Sequence, residues 1–169
     1  MKFLIVVDMQ VDFISGSLGS EAAQRIVPYV LDKVKGFDGT VIFTRDTHGE
    51  DYLASQEGKK LPVKHCIKGS DGWQICRELE SYAETVVDKV TFGSVDLPRV
   101  IREKDAEVES IELCGLCTDI CVISNAILLK AAFPETEMLV DAKACAGVTE
   151  ESHRTALSSM RAVQIEVIG

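Results

Sequence analysis

Residues 3–7, FLIVV, form an unbroken apolar run rich in β-branched side chains, and the run ends on a carboxylate, Asp8. A run this short with no helical period is the pattern of a strand buried on both faces. Such a strand needs neighbours at both edges and helices above and below. Further strands are expected at TVIFTRD (40–46), TVVDK (85–89), SIELCG (110–115), EMLVDA (137–142) and AVQIEVI (162–168). Between them, Ile26, Val27, Val30, Leu31 and Val34 fall at helical spacing within 21–35, with Pro28 as an irregularity. Helices are also expected near 73–81, 97–104, 118–132 and 149–160. Strands alternating with helices predict a three-layer α/β/α architecture with a mainly parallel central sheet. At 169 residues the chain suits a single domain over 1–169.

The net charge of −9 leaves no basic stripe to neutralise phosphates, so a nucleic-acid partner is not expected. No apolar run is long enough to span a membrane. The first apolar run is too short for a secretory core, which points to the cytoplasm, where thiols stay reduced. The six cysteines, Cys66, Cys76, Cys114, Cys117, Cys121 and Cys145, then read as buried small side chains or as a reactive thiol rather than as a disulfide framework.

In an open parallel sheet, ligands bind beyond the carboxyl ends of the strands. Those ends carry Asp8, Asp46 with His48, Lys89, and the segment CGLCTDICV (114–122). In that segment a helix is expected to start near Thr118, a candidate cap, placing Cys121 in the first turn. There, free amides and the helix dipole favour a thiolate. The amides of Cys117 and Cys121 lie where an oxyanion can be held. Local pattern alone fits packed cysteines equally well. A zinc knuckle is disfavoured because C-x2-C-x3-C offers only three ligands.

No histidine pairs obviously with Cys121, so Asp8 as proton acceptor and Lys89 as the neighbouring cation are the candidate partners. The polar, glycine-rich stretch 47–72 shows no secondary-structure pattern, and a loop that long is usually functional. Asp46 directly precedes it, and it holds His48 at its start, His65 near its end and Glu57 between. Asp plus two His, with Glu57 as a possible fourth ligand, suits a divalent Zn, Mn or Fe ion. An ordinary polar turn is the other reading of the Asp46–His48 pair.

Together these motifs resemble a known family. IVVDMQVDF resembles the opening signature of the isochorismatase-like cysteine hydrolases, and GLCTDICV their G-x-x-T-D-x-C-V motif. DK at 88–89 fits the family lysine, and the resemblance runs from Val6 to about His153. The D-x-H pair followed by His65–Cys66 resembles the nicotinamidase/pyrazinamidase branch.

The resemblance implies a Rossmann-like topology, an Asp8–Lys89–Cys121 triad and an oxyanion hole at Cys117 and Cys121. It implies a metal, zinc first, held by Asp46, His48 and His65, with Glu57 in some members. A cis peptide would fall at Leu116–Cys117. Phe13, Phe92 and Leu116 would contact the substrate ring, whose nitrogen the metal would bind. The implied reaction is hydrolysis of nicotinamide to nicotinate and ammonia through a thioester, a step of NAD salvage, in a protein that self-associates. LPVKHC lacks the tryptophan many nicotinamidases carry before the second histidine, and Lys64 adjoins His65. This departure leaves another small amide, or isochorismate, as the alternative substrate.

Overall fold

The computed structural model describes residues 1–169. Six strands form one sheet: β1 (Lys2–Val7), β2 (Thr40–Asp46), β3 (Val86–Lys89), β4 (Ser110–Leu116), β5 (Glu137–Ala146) and β6 (Glu166–Ile168). Their order is β3-β2-β1-β4-β5-β6, and every pairing is parallel. β1 is central, and Phe3 to Val7 are completely buried, as an apolar run without alternation requires. The order reverses between β1 and β4, so the crevice at their carboxyl ends is where this topology places a ligand.

Helices cover both faces. α1 (Val11–Ile14), α2 (Glu21–Gly36) and α4 (Arg77–Glu80) pack together, while α6 (Ile123–Ala132) packs with α5 (Leu97–Lys104) and α7 (Glu150–Ala162). α2 starts at Ser20, whose side chain accepts from the Ala23 amide, and buries Ala23, Ile26, Val30 and Val34. It passes through Pro28 unbroken because Pro28 lies on the exposed side. There the carbonyl left without a donor faces water.

The structure departs from the sequence pattern in four places. The stretch 47–72 is ordered around Tyr52, which is 2% exposed and donates its hydroxyl to the Leu61 carbonyl at 2.9 Å. It contains a 3-10 turn at Tyr52–Ala54 and the short helix α3 (Gln56–Lys60), capped by Ser55. β5 continues four residues past the predicted end, to Ala146, through an irregularity in its register with β4. α7 runs on to Ala162, so β6 is three residues rather than seven. Between β4 and α6 the chain does not enter an ordinary α-helix: Thr118–Val122 form a π-helical turn, with the Val122 amide bonded to the Cys117 carbonyl at 3.1 Å. No helix is long and apolar enough to cross a membrane.

Candidate active site

Asp8, at the end of β1, has φ 48°, a left-handed conformation rare for a residue without a special constraint. Its Oδ1 accepts from the Thr44 hydroxyl at 2.7 Å, and its Oδ2 lies 2.6 Å from Lys89 Nζ. That ammonium is off the direction a hydrogen bond needs, so Oδ2 stays a buried acceptor without a donor. Lys89, at the end of β3, also donates to Asp46 Oδ1 and the Thr91 carbonyl, both at 3.1 Å, and stands 3.5 Å from Cys121 Sγ. Asp8, Lys89 and Cys121, 113 positions apart in sequence from first to last, thus meet at one point.

Burial raises Asp8 above the ordinary carboxylate range, although Lys89 pulls the other way. Burial works against the charge on Lys89, but Asp8, Cys121 and Asp46 outweigh it and hold the ammonium well above its ordinary range. Cys121 is 6% exposed, and burial followed by the charge of Asp8 pushes its thiol well up. Burial thus favours the thiol over the thiolate expected from a helix start. Loss of water around the sulfur outweighs Lys89 and the nearby amides.

Thr118 is not the cap. Cys117 occupies that position, and Thr118 turns its hydroxyl toward His153. The Leu116–Cys117 peptide is cis, at the bond the resemblance indicated. The Cys117 carbonyl accepts from the amides of Ile120 and Val122, while the Cys117 amide donates to no protein group. That amide is free to meet a negatively charged oxygen. Burial, then the charge of Asp119, pushes the Cys117 thiol up to about 12.

The second cluster is Asp46, His48, Glu57 and His65, whose ligand atoms all lie within 4.8 Å of one another. His48 Nε2 is 2.8 Å from Asp46 Oδ2 and 3.7 Å from Glu57 Oε1; His65 Nε2 is 3.6 Å from both carboxylates. Ligand bonds of about 2.0–2.2 Å give tetrahedral edges of roughly 3.4 Å, close to most of these separations. His65 Nδ1 faces the Val63 carbonyl at 2.8 Å, which fixes that nitrogen as the donor and turns the Nε2 lone pair toward the cluster. Two imidazoles and two carboxylates are a donor set for a divalent cation, and the residues fit one. Burial opposes charge on Asp46, but hydrogen bonds from His48 and His65 and the charge of Lys89 hold it well below the ordinary range.

Both clusters open onto one cavity of about 440 Å³, whose lining includes Cys117, Cys121, Asp46, Glu57 and His65. Phe13, Phe92 and Leu116 form part of its apolar wall. Phe13 lies 5.5 Å from the His65 ring, Leu116 is 1% exposed, and Phe92 is half-open at the mouth. Lys64 points away and bonds Glu50 at the surface, so it does not enter the cavity.

Three buried residues outside the predicted set hold the site. Gln10 donates to the carbonyls of Asp46 (2.8 Å) and Trp73 (2.9 Å) and accepts from the Asp46 amide (2.7 Å). Asn125 donates to the carbonyls of Cys121 and Phe92 and accepts from the Ser94 amide. Thr44 orients Asp8. A glutamine two residues past a strand-end aspartate was the only visible signal for Gln10; nothing marked Asn125 inside its helix.

A model of the isochorismatase domain matches residues 2–169. The chain belongs to the isochorismatase family. It is 27% identical to the isochorismatase family protein PncA of Bacillus subtilis, over 93% of this chain and 92% of that one. To a nicotinamidase of Acinetobacter baylyi it is 24% identical, over 82% of this chain and 79% of the other. Among solved structures, a pyrazinamidase of Pyrococcus horikoshii in complex with zinc superposes with a TM-score of 0.85 at 26% identity, covering 99% of this chain and 98% of that one. The nicotinamidase PncA of Bacillus subtilis superposes with a TM-score of 0.86 at 26% identity, covering 99% of each chain. This member thus shares its α/β fold, with an all-parallel sheet, with nicotinamidase and pyrazinamidase structures.

Proposed function

We propose that this isochorismatase-family protein is a metal-assisted cysteine amidohydrolase that converts nicotinamide to nicotinate and ammonia through a thioester, a step of NAD salvage. The observation that carries the reading is the meeting, in one apolar-walled cavity, of a thiol–carboxylate–ammonium group with a His₂–carboxylate₂ cluster. The naming of similar proteins as nicotinamidases and a zinc-bound pyrazinamidase supports it.

Asp46, His48, His65 and Glu57 would hold the divalent ion, zinc first among candidates. Bound there, it would supply a Lewis acid for the ring nitrogen of the substrate. Phe13, Phe92 and Leu116 would sandwich the ring and exclude water. The Cys121 sulfur attacks the carboxamide carbon as its proton passes to Asp8. The amides of Cys117 and Cys121 take the negative charge that develops on the carbonyl oxygen. Asp8 gives the proton to the departing nitrogen, which leaves as ammonia. Asp8 then takes a proton from water as its oxygen attacks the thioester, and returns that proton to the sulfur as nicotinate leaves. Lys89 stabilises the charged states of Asp8 and the sulfur throughout.

The alternative is a relative acting on another small amide or on isochorismate, and the missing tryptophan before His65 is what favours another amide. Isochorismate is harder to accommodate. The cavity lining contains no arginine or lysine, and Lys89 beneath it is already held by two carboxylates, so a dicarboxylate meets no free cation. The test is ammonia release from nicotinamide before and after chelation. Activity that disappears on chelation and returns with zinc, manganese or iron supports the proposal; an inert protein with a full metal site sinks the substrate assignment.

A further inference from the structure

Two side-chain bonds tie the turn carrying Cys121 to α7 and to the connection between β5 and α7, and the chemistry above uses neither. Thr118 Oγ1 and His153 Nδ1 share a hydrogen bond of 2.7 Å. One residue on, Asp119 Oδ1 accepts from the Val148 amide at 3.1 Å. Thr118 is fully buried and directly follows Cys117. Gly147 and Val148 line the same cavity as Cys117 and Cys121. The seam has no slack: a Cβ on Gly147 would lie 2.9 Å from His153 Cβ and 3.0 Å from Asp119 Oδ1.

His153 stands in the first turn of α7, which the reciprocal bonds of Thr149 and Ser152 fix in place. The π-helical turn is held at its start by the Ile120 and Val122 amides on the Cys117 carbonyl, and at its end by the Ile123 amide on the carbonyls of Thr118 and Ile120. The bonds of Thr118 and Asp119 add contacts from outside the turn that bear on the aim of the Cys121 sulfur and the Cys117 amide.

We infer that Thr118 and His153 are positioning residues. They clamp the nucleophile turn against the Val148 wall so that sulfur and oxyanion donor share one target. The inference rests on the role of Cys121 proposed above. Loss of the clamp misaligns attack without touching the ring contacts of Phe13, Phe92 and Leu116, so it slows turnover and spares binding.

The test compares Thr118→Val, Thr118→Ser, His153→Leu and the double variant Thr118→Val/His153→Leu in the metal-loaded full chain. With nicotinamide, kcat is expected to fall by about tenfold or more in Thr118→Val and His153→Leu, with KM within about twofold of the parent. Thr118→Ser keeps the hydroxyl and most of the rate. The double variant is no slower than the slower single one, because the pair acts as a unit. Hydrogen exchange at 118–122 and 147–149 is expected to quicken in the same variants while β1 is unchanged. Multiplying losses in the double variant, a KM rise with kcat kept, or unaltered exchange at the turn would each overturn the clamp. If the parent protein releases no ammonia from nicotinamide, the substrate proposal fails, and the exchange pattern still decides this one.

Discussion

Lys89 Nζ and Asp8 Oδ2 stand 2.6 Å apart, and neither side chain is more than 1% exposed. Two opposite charges so far from water survive only together. Removing one partner of a buried pair costs about 3–5 kcal/mol because the other is left uncompensated. Lys89→Met is therefore expected to lower unfolding free energy by an amount of that order and to abolish ammonia release. Asp8→Asn combined with Lys89→Met is expected to recover much of the stability and none of the turnover. Denaturant titration and the ammonia assay check both halves.

The Cys121 sulfur is expected to be a thiol near neutral pH, since burial and then Asp8 push its titration upward. The difference in ultraviolet thiolate absorbance between the parent and Cys121→Ser should be flat through neutrality and rise only under strongly alkaline conditions. Turnover in Cys121→Ser should fall on the order of 10³-fold or more, with metal content unchanged. A thiolate signal already present at neutrality would contradict the proton transfer to Asp8 during attack.

How much of this was legible in the chain depends on the kind of constraint. The sheet was readable because FLIVV and its companions cannot be buried in any other way, and the strand ends then fixed where polar groups gather. His48, Glu57 and His65 shared a segment with no periodicity that follows directly on Asp46, and proximity in sequence hinted at proximity in space. The order within that segment was not readable, because it comes from one buried ring, Tyr52, and its bond to Leu61 rather than from a repeating pattern. The upward push of burial on the Cys121 thiol was not readable for a similar reason. A helix start is visible in sequence, whereas the depth of the sulfur below the surface is a property of the whole packed sheet.

Gln10 offers a prediction that sequence alone did not. Its amide spans the Asp46 backbone on both sides, donating to its carbonyl and accepting from its N–H. Gln10→Leu leaves these buried groups unpaired, at about 1–3 kcal/mol for an orphaned group. It also frees Asp46 to turn away from His48. The variant is expected to bind divalent metal more weakly and to unfold more easily, as metal stoichiometry after dialysis and denaturant titration will show. Normal metal content would mean that the two histidines and Glu57 hold Asp46 without help.

The metal cluster itself separates by donor. His65→Ala removes an imidazole whose orientation Val63 fixes, and is expected to empty the site. Glu57→Gln keeps an oxygen donor but drops a charge, and should weaken affinity rather than abolish it. Equal loss in the two variants would show that Glu57 is as necessary as the histidine.

The last prediction concerns alkaline stability and lies away from the site. Lys33, on α2, donates to Glu112 on β4 and pairs with Asp141 Oδ2 on β5 at 2.7 Å, bridging the helix layer to two strands. Burial disfavours its charge, but the bonds to Asp141 and Glu112 outweigh that and raise Lys33 above its ordinary value of 10.5. A raised folded-state value means the protonated form is favoured by folding. Its contribution is complete below the unfolded value of 10.5 and is lost as pH rises through the higher folded one. Lys33→Met should therefore be less stable than the parent near neutrality, where Glu112 and Asp141 lose their cation. The two stability curves should converge at strongly alkaline pH, as the parent loses the charge the variant never had. The other lysines and tyrosines titrate in both proteins, so the difference between the curves isolates Lys33. An offset that stays constant from roughly pH 8 to 12 would show that Lys33 acts through its aliphatic stem and not through its charge.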